Sequence, residues 1–293
     1  MAAYAHPEVL VETDWLDQNR KSGEYKIVEV DVDTLSYHEG HIPGAIAFNW
    51  QTELQDQLRR DIPSKAAFES LVGGRGIRER DTILLYGDNN NWFAAYAFWI
   101  FKIYGHADVR LVNGGRKKWL VEGREISRDV PKSSPVTYAA KPADWSLRAL
   151  RDDVRDGLGK PARALVDVRS PAEFAGEVIA PPGMSETAQR AGHIPGAASI
   201  PWVQATRGDG AFKSLEELNA LYGGAGITGD KDVISYCRIG ERSSHTWFVL
   251  KYLLGYENVR NYDGSWTEWG SVIGAPIENP SATPASGAEA CPS

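Results

Sequence analysis

The 293-residue sequence is poor in cysteine and has no excess of positive charge. Its two cysteines are too few for a disulfide scaffold, a four-cysteine zinc site or a cysteine-ligated iron–sulfur cluster. They leave room for one catalytic thiol. The formal net charge of −7 offers no general surface for nucleic acid or for an anionic membrane.

Long apolar runs are missing as well. The longest extends from Trp92 to Phe101, about half the length that a membrane-spanning helix needs. The first residues lack the basic stretch and the apolar stretch of a secretory signal. We therefore expect a cytoplasmic protein with reduced thiols. Residues 281–293 are rich in Ala, Ser and Pro, and we expect them to form a disordered tail.

The sequence contains an internal repeat. The segment Gly40–Ile46 (GHIPGAI) returns as Gly192–Ala198 (GHIPGAA), and residues farther along match at a constant offset of 150. The matched pairs include Phe98 and Phe248, Gly105 and Gly255, Gly114 and Gly264, and Trp119 and Trp269. Because solenoid repeats are much shorter, the pattern indicates a duplicated domain. We place the first copy at residues 1–140 and the second copy at residues 141–280, with a junction near Ser133–Trp145.

Strand and helix patterns alternate within each copy. In the second copy, Ala164–Val168 and Asp232–Tyr236 read as buried strands. Ser214–Tyr222 reads as a helix that opens with a capping box, and Ser243–Leu254 reads as a helix with one apolar face. Further short strands are expected at 111–112 and 261–262. This alternation predicts an α/β fold in which each copy has a mostly parallel sheet with helices on both faces.

The segment Cys237–Arg242 (CRIGER) lies between a predicted strand and a predicted helix. Unpaired backbone N–H groups converge at such a place, and with the helix dipole they stabilise anions. The same field favours a thiolate, so we expect the pKa of Cys237 to lie below that of a free thiol. A cysteine after a buried strand is often only a small core residue. Two flanking arginines and Gly240 favour a reactive loop instead, whereas Cys291 has no basic neighbours.

The CRIGER loop, the repeated GHIPGA segment and the paired copies resemble the two-domain rhodaneses, which are thiosulfate sulfurtransferases. The resemblance covers nearly the whole chain, from about Val9 to Ile277. It implies that the second copy alone is catalytic, and this sequence agrees, because Gly87 stands 150 residues before Cys237. It also implies that no cofactor is needed. The first copy would then serve to pack against the active one.

The resemblance assigns a role to each residue of the loop. The Cys237 thiolate would attack the outer sulfur of thiosulfate, release sulfite and become a persulfide, which cyanide or a small or protein thiol then discharges. Arg242 would bind the sulfonate oxygens, and Arg238 would attract the dianion. The loop residues Ile239, Gly240, Glu241 and Ser243 would stabilise the persulfide. For Ser243 and Ser244, we favour capping of the helix over donation to the persulfide.

Three other functions use a comparable loop; its length disfavours the first of them, and the other two stay open as alternatives. Cysteine phosphatases of a related fold place an arginine six positions after the cysteine, whereas this position is Ser243 and the arginine lies at five. Mercaptopyruvate sulfurtransferases have an uncharged loop resembling CGSGVT, so the arginines here favour thiosulfate. A sulfur-carrying or regulatory module that holds a persulfide without useful turnover is the third alternative.

One position departs from the family pattern. Animal relatives have an anion-binding arginine where this sequence has Glu173, so that contact cannot be transferred. Arg190 is a possible replacement, although an exposed arginine in a polar loop is more often solvated. Asp167 and Arg169 are expected to organise the loop after their strand.

The histidines do not point to catalysis or to a metal. His41 and His193 precede the same Ile-Pro-Gly turn in both copies, so a structural role is favoured over catalysis. No base is needed at His245 if the thiolate already exists. The histidines and cysteines show no spacing typical of metal ligands, so we expect no metal site.

Overall fold

The computed structural model describes residues 3–183 and 187–282. Over these ranges the chain forms two five-stranded sheets, one from each copy of the repeat. The predicted tail begins at residue 281, and all of it from residue 283 onward lies outside the described residues. Along the described ranges no helix is long and apolar enough to cross a bilayer.

Each sheet is wholly parallel, and the two sheets have the same topology. The first has the strand order β1-β5-β4-β2-β3 and the second has the order β6-β10-β9-β7-β8. The strands of the first sheet are β1 Leu10–Val11, β2 Tyr25–Glu29, β3 Ile46–Ala47, β4 Thr82–Tyr86 and β5 Val109–Val112. Those of the second are β6 Arg148–Ala149, β7 Arg163–Asp167, β8 Ala198–Ser199, β9 Asp232–Tyr236 and β10 Val259–Tyr262. The prediction of a duplicated α/β fold with parallel sheets is therefore confirmed.

The helices cover both faces of the sheets, which explains why the central strands β4 and β9 are buried along almost their whole length. In the first copy they are α1 Thr13–Asn19, α2 Ser36–Glu39, α3 Lys65–Gly74, α4 Trp92–Ile103 and α5 Gly115–Val121. In the second they are α6 Arg151–Gly157, α7 Pro171–Ala175, α8 Leu215–Gly224, α9 Glu241–Phe248 and α10 Ser265–Trp269.

The predicted elements are present, but most of their bounds differ by one or two residues: β7 lies one residue before the predicted Ala164–Val168, and β5 and β10 each begin two residues before the predicted strands. Strand β9 has the predicted bounds, and Ser214 forms the predicted capping box with Glu217 at the start of α8. The prediction that a helix begins at Ser243 is wrong, because α9 begins at Glu241. Its N-cap is Gly240, which has the left-handed conformation that glycine adopts readily. After Phe248 the helix continues with π-helical winding over Val249–Leu253.

The two copies pack together along α4 and α9. Helix α4 is apolar on all sides and almost wholly buried, since it lies between its own sheet and the other copy. The rings of Phe98 and Phe248 meet edge to face with centroids 4.9 Å apart. These two residues are counterparts in the repeat, so the interface brings equivalent positions together, as an isologous interface does.

The histidines of the repeated turn have equivalent structural roles. His41 contacts the carbonyl oxygens of Tyr37 and Asp129 through its two ring nitrogens. His193 contacts the carbonyl oxygen of Phe174 at 2.8 Å and the carboxylate of Glu278 at 3.0 Å. Each histidine therefore holds a later segment of the chain against the turn, in agreement with the predicted structural role.

The first copy has no room for a thiol at the position equivalent to Cys237. A Cβ atom built on Gly87 would lie 2.1 Å from the carbonyl oxygen of Val30. The N–H of Gly87 donates instead to the side-chain oxygen of Asn91. A cysteine at this position would require the backbone of the first copy to move.

We predict that Phe98→Ala and Phe248→Ala each lower the free energy of unfolding by about 3–5 kcal/mol, because each leaves a cavity in the interface. The double variant should lose less than the sum, since the two rings contact each other. Denaturant titrations of the four proteins give these values. Ile273→Ala is the control, because its side chain is 96% exposed. Losses of less than about 1 kcal/mol would contradict the packing described here.

Candidate active site

The Cys237 thiol lies at the carboxyl end of β9, in the turn that leads into α9. Cys237 is fully buried, and its Sγ accepts a hydrogen bond from the N–H of Gly240 at 3.1 Å. Gly240 has a φ of 102°, and a Cβ atom there would lie 2.6 Å from Cα of Asp263. Both the conformation and the close approach require glycine, so this residue gives the turn its shape.

The carbonyl oxygen of Gly240 accepts the hydrogen bonds that hold the loop in place. It accepts hydrogen bonds from the hydroxyls of Ser243 and Ser244, at 3.0 and 2.8 Å, and from the side-chain amide of Asn261 at 3.0 Å. The predicted capping role of the two serines is therefore wrong. They lie within the first turn of α9, and their hydroxyls donate back to the N-cap carbonyl.

The backbone of Cys237 is held by the start of α10. Its N–H donates to Oγ of Ser265 at 3.1 Å, and its carbonyl accepts from the N–H of Trp266 at 3.1 Å. Ser265 adopts a φ of 53°, close to the 55° of its repeat counterpart Gly115. A serine in a conformation that suits glycine is retained where its hydroxyl has a partner. Sequence reasoning missed Ser265, although the change from glycine to serine between the copies is a usable signal.

Glu241 faces the thiol. Its Oε2 atom lies 3.7 Å from Sγ of Cys237, and its Oε1 atom lies 3.8 Å from a guanidinium nitrogen of Arg238. Burial raises the pKa of Glu241, against the opposing charges of Arg242, Arg238 and Arg60. A raised pKa favours the neutral carboxyl group, which repels a thiolate less than a carboxylate does.

Arg242 forms a buried ion pair with Glu173. The two guanidinium nitrogens donate to the two carboxylate oxygens, each at 3.0 Å. Burial acts to raise the pKa of Glu173, but the hydrogen bonds and charge of Arg242 outweigh it and lower that pKa. Glu173 also closes a capping box with Ser170 at the start of α7. The position that departs from the family pattern therefore anchors an arginine of the loop.

Asp167 and Arg169 form a second buried pair, with the shortest contact at 2.6 Å. Arg169 also donates to the carbonyl of Gly192 and stacks over the ring of Trp266 at 4.5 Å. The pair ties the end of β7 to the GHIPGA turn and to α10. It therefore holds the chain that follows β7 against these two segments.

Arg190 does not occupy the place of the missing arginine. Its guanidinium group donates to backbone carbonyls at the end of α10 and just beyond it, those of Trp269, Gly270, Val272 and Ala275. The geometry directs Arg190 to the end of α10, where these carbonyls hold its partly buried side chain. Carbonyls at a helix C-terminus attract a cation.

The loop forms one wall of a cavity of about 420 Å³ between the two copies. The second copy contributes Arg238, Ile239 and Glu241 to its lining. The first copy contributes the charged and aromatic residues Trp50, Asp56, Arg60, Trp92 and Phe93. Sequence reasoning assigned the first copy only a packing role, so this contribution was missed.

His245 lies outside the chemistry of the loop. His245 is buried on α9 against the rings of Trp202 and Phe212. Burial lowers its pKa to about 3, so the ring is neutral near pH 7. Among residues 3–183 and 187–282, no group of three or more His, Cys, Asp or Glu side chains is arranged to hold a metal ion.

The loop residues named by sequence reasoning are brought together by this geometry. Cys237, Gly240 and Glu241 are in direct contact, and Arg238 lies against Glu241. Ser243 is bound to the carbonyl of Gly240. Ile239 and Arg238 face the cavity, whereas Arg242 is directed toward Glu173.

Comparison with known proteins identifies relatives over nearly the whole chain. A protein of Saccharopolyspora erythraea named "Putative thiosulfate sulfurtransferase" is 57% identical over 274 residues, which cover 93% of this chain and 97% of that protein. The "Sulfur carrier protein TtuD" of Thermus thermophilus is 55% identical over 278 residues, covering 94% and 98%.

Solved structures show the same similarity. A structure of an EanB variant with a cysteine persulfide and ergothioneine has a TM-score of 0.84 and 25% identity, over 95% of this chain and 72% of that one. The family model of the rhodanese-like domain matches residues 12–122 and 150–271, one match in each copy. This chain therefore belongs to the rhodanese family and carries two rhodanese-like domains in tandem.

Proposed function

We propose that this protein is a thiosulfate sulfurtransferase that carries sulfane sulfur as a persulfide on Cys237. The observation that carries the proposal is the setting of Sγ, which accepts the N–H of Gly240 in a glycine-capped turn before α9. Preorganised N–H donors stabilise a developing anion without reorganisation. We further propose that residues 1–140 are a non-catalytic domain and residues 141–280 the catalytic one.

The first step is a displacement at sulfur. The Cys237 thiolate attacks the outer sulfur of thiosulfate, the S–S bond of thiosulfate breaks, and sulfite leaves with the bonding electron pair. The product is a persulfide whose inner sulfur is the Sγ atom that accepts the Gly240 N–H, and whose outer sulfur carries the negative charge. In the second step an acceptor such as cyanide attacks the outer sulfur, leaves as thiocyanate and regenerates the thiolate. Covalent catalysis of this kind gives ping-pong kinetics.

The name of the 57% identical relative and the charged loop both favour thiosulfate as the donor. Thiosulfate is a dianion, and Arg238 lines the cavity through which it would approach. The resemblance assigned the sulfonate to Arg242. In this geometry that guanidinium group is already paired with Glu173, so Arg238 is the better candidate within the loop.

A sulfur carrier is the second candidate, because a relative of 55% identity is named a sulfur carrier protein. A carrier and an enzyme share the persulfide but differ in turnover. Steady-state turnover with thiosulfate and cyanide at a rate typical of enzymes would favour the enzyme. Loading that is complete but followed by slow discharge to small acceptors would favour the carrier.

We predict that thiosulfate adds one sulfur atom, about 32 Da, to the wild-type protein, because the persulfide is a covalent intermediate. Cyanide should remove that mass and yield thiocyanate. Intact-protein mass spectrometry measures both steps. Cys237→Ser should gain no mass, and Cys291→Ser, the matched control for the other thiol, should load like wild type. A wild-type protein without the adduct, or an adduct lost in Cys291→Ser, would refute the proposal.

We predict that Arg238→Gly lowers kcat/KM for thiosulfate about tenfold. It should lower kcat/KM for mercaptopyruvate less, because thiosulfate is a dianion and is attracted more strongly by the charge of Arg238. Tenfold corresponds to about 1.4 kcal/mol, within the range of one charged hydrogen bond. Steady-state kinetics with both donors give the comparison. Equal losses for the two donors would show that Arg238 does not select between them.

A further inference from the structure

A residue of the first copy reaches the peptide unit that supports the thiol. The guanidinium group of Arg60 donates to the carbonyl oxygen of Ile239 at 3.2 Å. That carbonyl belongs to the same peptide group as the N–H of Gly240, which donates to Sγ of Cys237 at 3.1 Å. The two hydrogen bonds therefore lie on opposite sides of one peptide.

We propose that Arg60 is a positioning residue of the active site: through the Ile239–Gly240 peptide it strengthens the hydrogen bond that stabilises the Cys237 thiolate and persulfide. Hydrogen bonds in a chain polarise one another, and a cation on the carbonyl oxygen makes the attached N–H a stronger donor. This inference rests on the proposed function for its persulfide, but not for its effect on the thiolate.

The backbone of the first copy holds Arg60 in place. The N–H of Asp56 donates to the carbonyl of Asp61 at 2.7 Å, and the N–H of Arg60 donates to the carbonyl of Asp56 at 2.8 Å. The carboxylate of Asp56 accepts from the N–H groups of Leu58 and Arg59. Arg60 itself has a φ of 56°, a conformation that costs free energy in a residue other than glycine. The surrounding turn compensates for that cost.

The adjoining ion pair fixes this turn to the second copy. Arg148 donates to Asp61 at 2.7 Å and, through two nitrogens, to Asp263 at 2.8 Å. Asp263 in turn lies against Gly240, whose absent Cβ would touch it. Arg60 is therefore placed over the loop by contacts on both copies rather than by its own side chain alone.

Charged groups of both signs surround Sγ. Glu241 lies closest, with Arg238 beside it, and Arg242 is neutralised by Glu173. Asp263 lies behind Gly240 and is paired with Arg148. Arg60 adds positive charge from the other copy, on the peptide that contacts the thiol.

The test is the pH dependence of Cys237 alkylation by iodoacetamide. It is measured in the Cys291→Ser variant, so that Cys237 is the only cysteine that can react. Arg60→Ala should raise the apparent pKa of the thiol by about 0.5 unit or more, because the thiolate loses a stabilising field. Arg60→Lys keeps the charge and should give the smallest rise in this pKa. Arg60→Gln keeps an N–H donor without the charge, and its rise should lie between those of Arg60→Lys and Arg60→Ala. Because alkylation requires no turnover, it separates this inference from the proposed function.

Two controls distinguish positioning from a merely structural role. Arg59→Ala removes the same charge from the neighbouring exposed residue, and it should leave the thiol pKa within about 0.2 unit, since solvent screens it. The Arg60→Ala effect should also persist in a Glu241→Gln background, because it acts through the peptide and not through that carboxyl group. Loss of the effect in Glu241→Gln would assign it to Glu241 instead and overturn the inference.

The proposed effect of Arg60 on persulfide formation is measured separately. Arg60→Ala should slow the loading of Cys237 by thiosulfate about three- to tenfold in stopped-flow or mass-spectrometric time courses. An unchanged thiol pKa in folded Arg60→Ala and Arg60→Gln would overturn the inference. A shifted pKa in a protein that never forms the persulfide would uphold the role of Arg60 and refute the proposed function.

Discussion

The packing of α4 against α9 is the contact on which the rest of the structure depends. It buries α4, which is apolar on all sides, and brings repeat counterparts together, among them Phe98 and Phe248. A second pair of counterparts meets near the loop, where Arg242 lies over the ring of Trp92 at 5.9 Å. Because both helices follow the equivalent turn of their copies, this interface places the turn at Gly87 of the first copy beside the turn at Cys237 of the second.

The two copies hold their equivalent turns with different residues. In the second copy, Ser265 replaces Gly115 of the first copy and accepts the N–H of Cys237. In the first copy, the side chain of Asn91 accepts the equivalent N–H, that of Gly87. Each turn therefore satisfies the same backbone donor by a different residue. The first copy has no space for a thiol at Gly87, but it supplies a wall of the cavity and a cation directed at the other loop.

Local signals in the sequence predict a large part of the fold and the position of Cys237 within it. The bounds of β9 follow from a short apolar run, and the start of α8 follows from a capping box, because both depend on neighbouring residues. Cys237 was identified by its place between a strand and a helix. The start of α9 was predicted two residues late, because Gly240 reads as part of a loop when its left-handed conformation is unknown.

The charge pairing could not be predicted in the same way. Arg242 and Glu173 are 69 residues apart, and Arg60 and Ile239 are 179 residues apart. Composition says how many arginines there are but not which carboxylate each one meets. Arg190 shows the same limit, since its partners are backbone carbonyls that exist only once α10 has formed. Such contacts depend on the docking of the two copies rather than on any local pattern.

The most direct test of the account is a crystal structure of the protein after treatment with thiosulfate. We expect one additional sulfur on Sγ of Cys237, within hydrogen-bonding distance of the loop N–H groups. Arg60 should still contact the carbonyl of Ile239, and Arg242 should remain paired with Glu173. An unmodified Sγ, or a persulfide accompanied by the departure of Arg60 from the loop, would contradict the claim that the two copies together build the site.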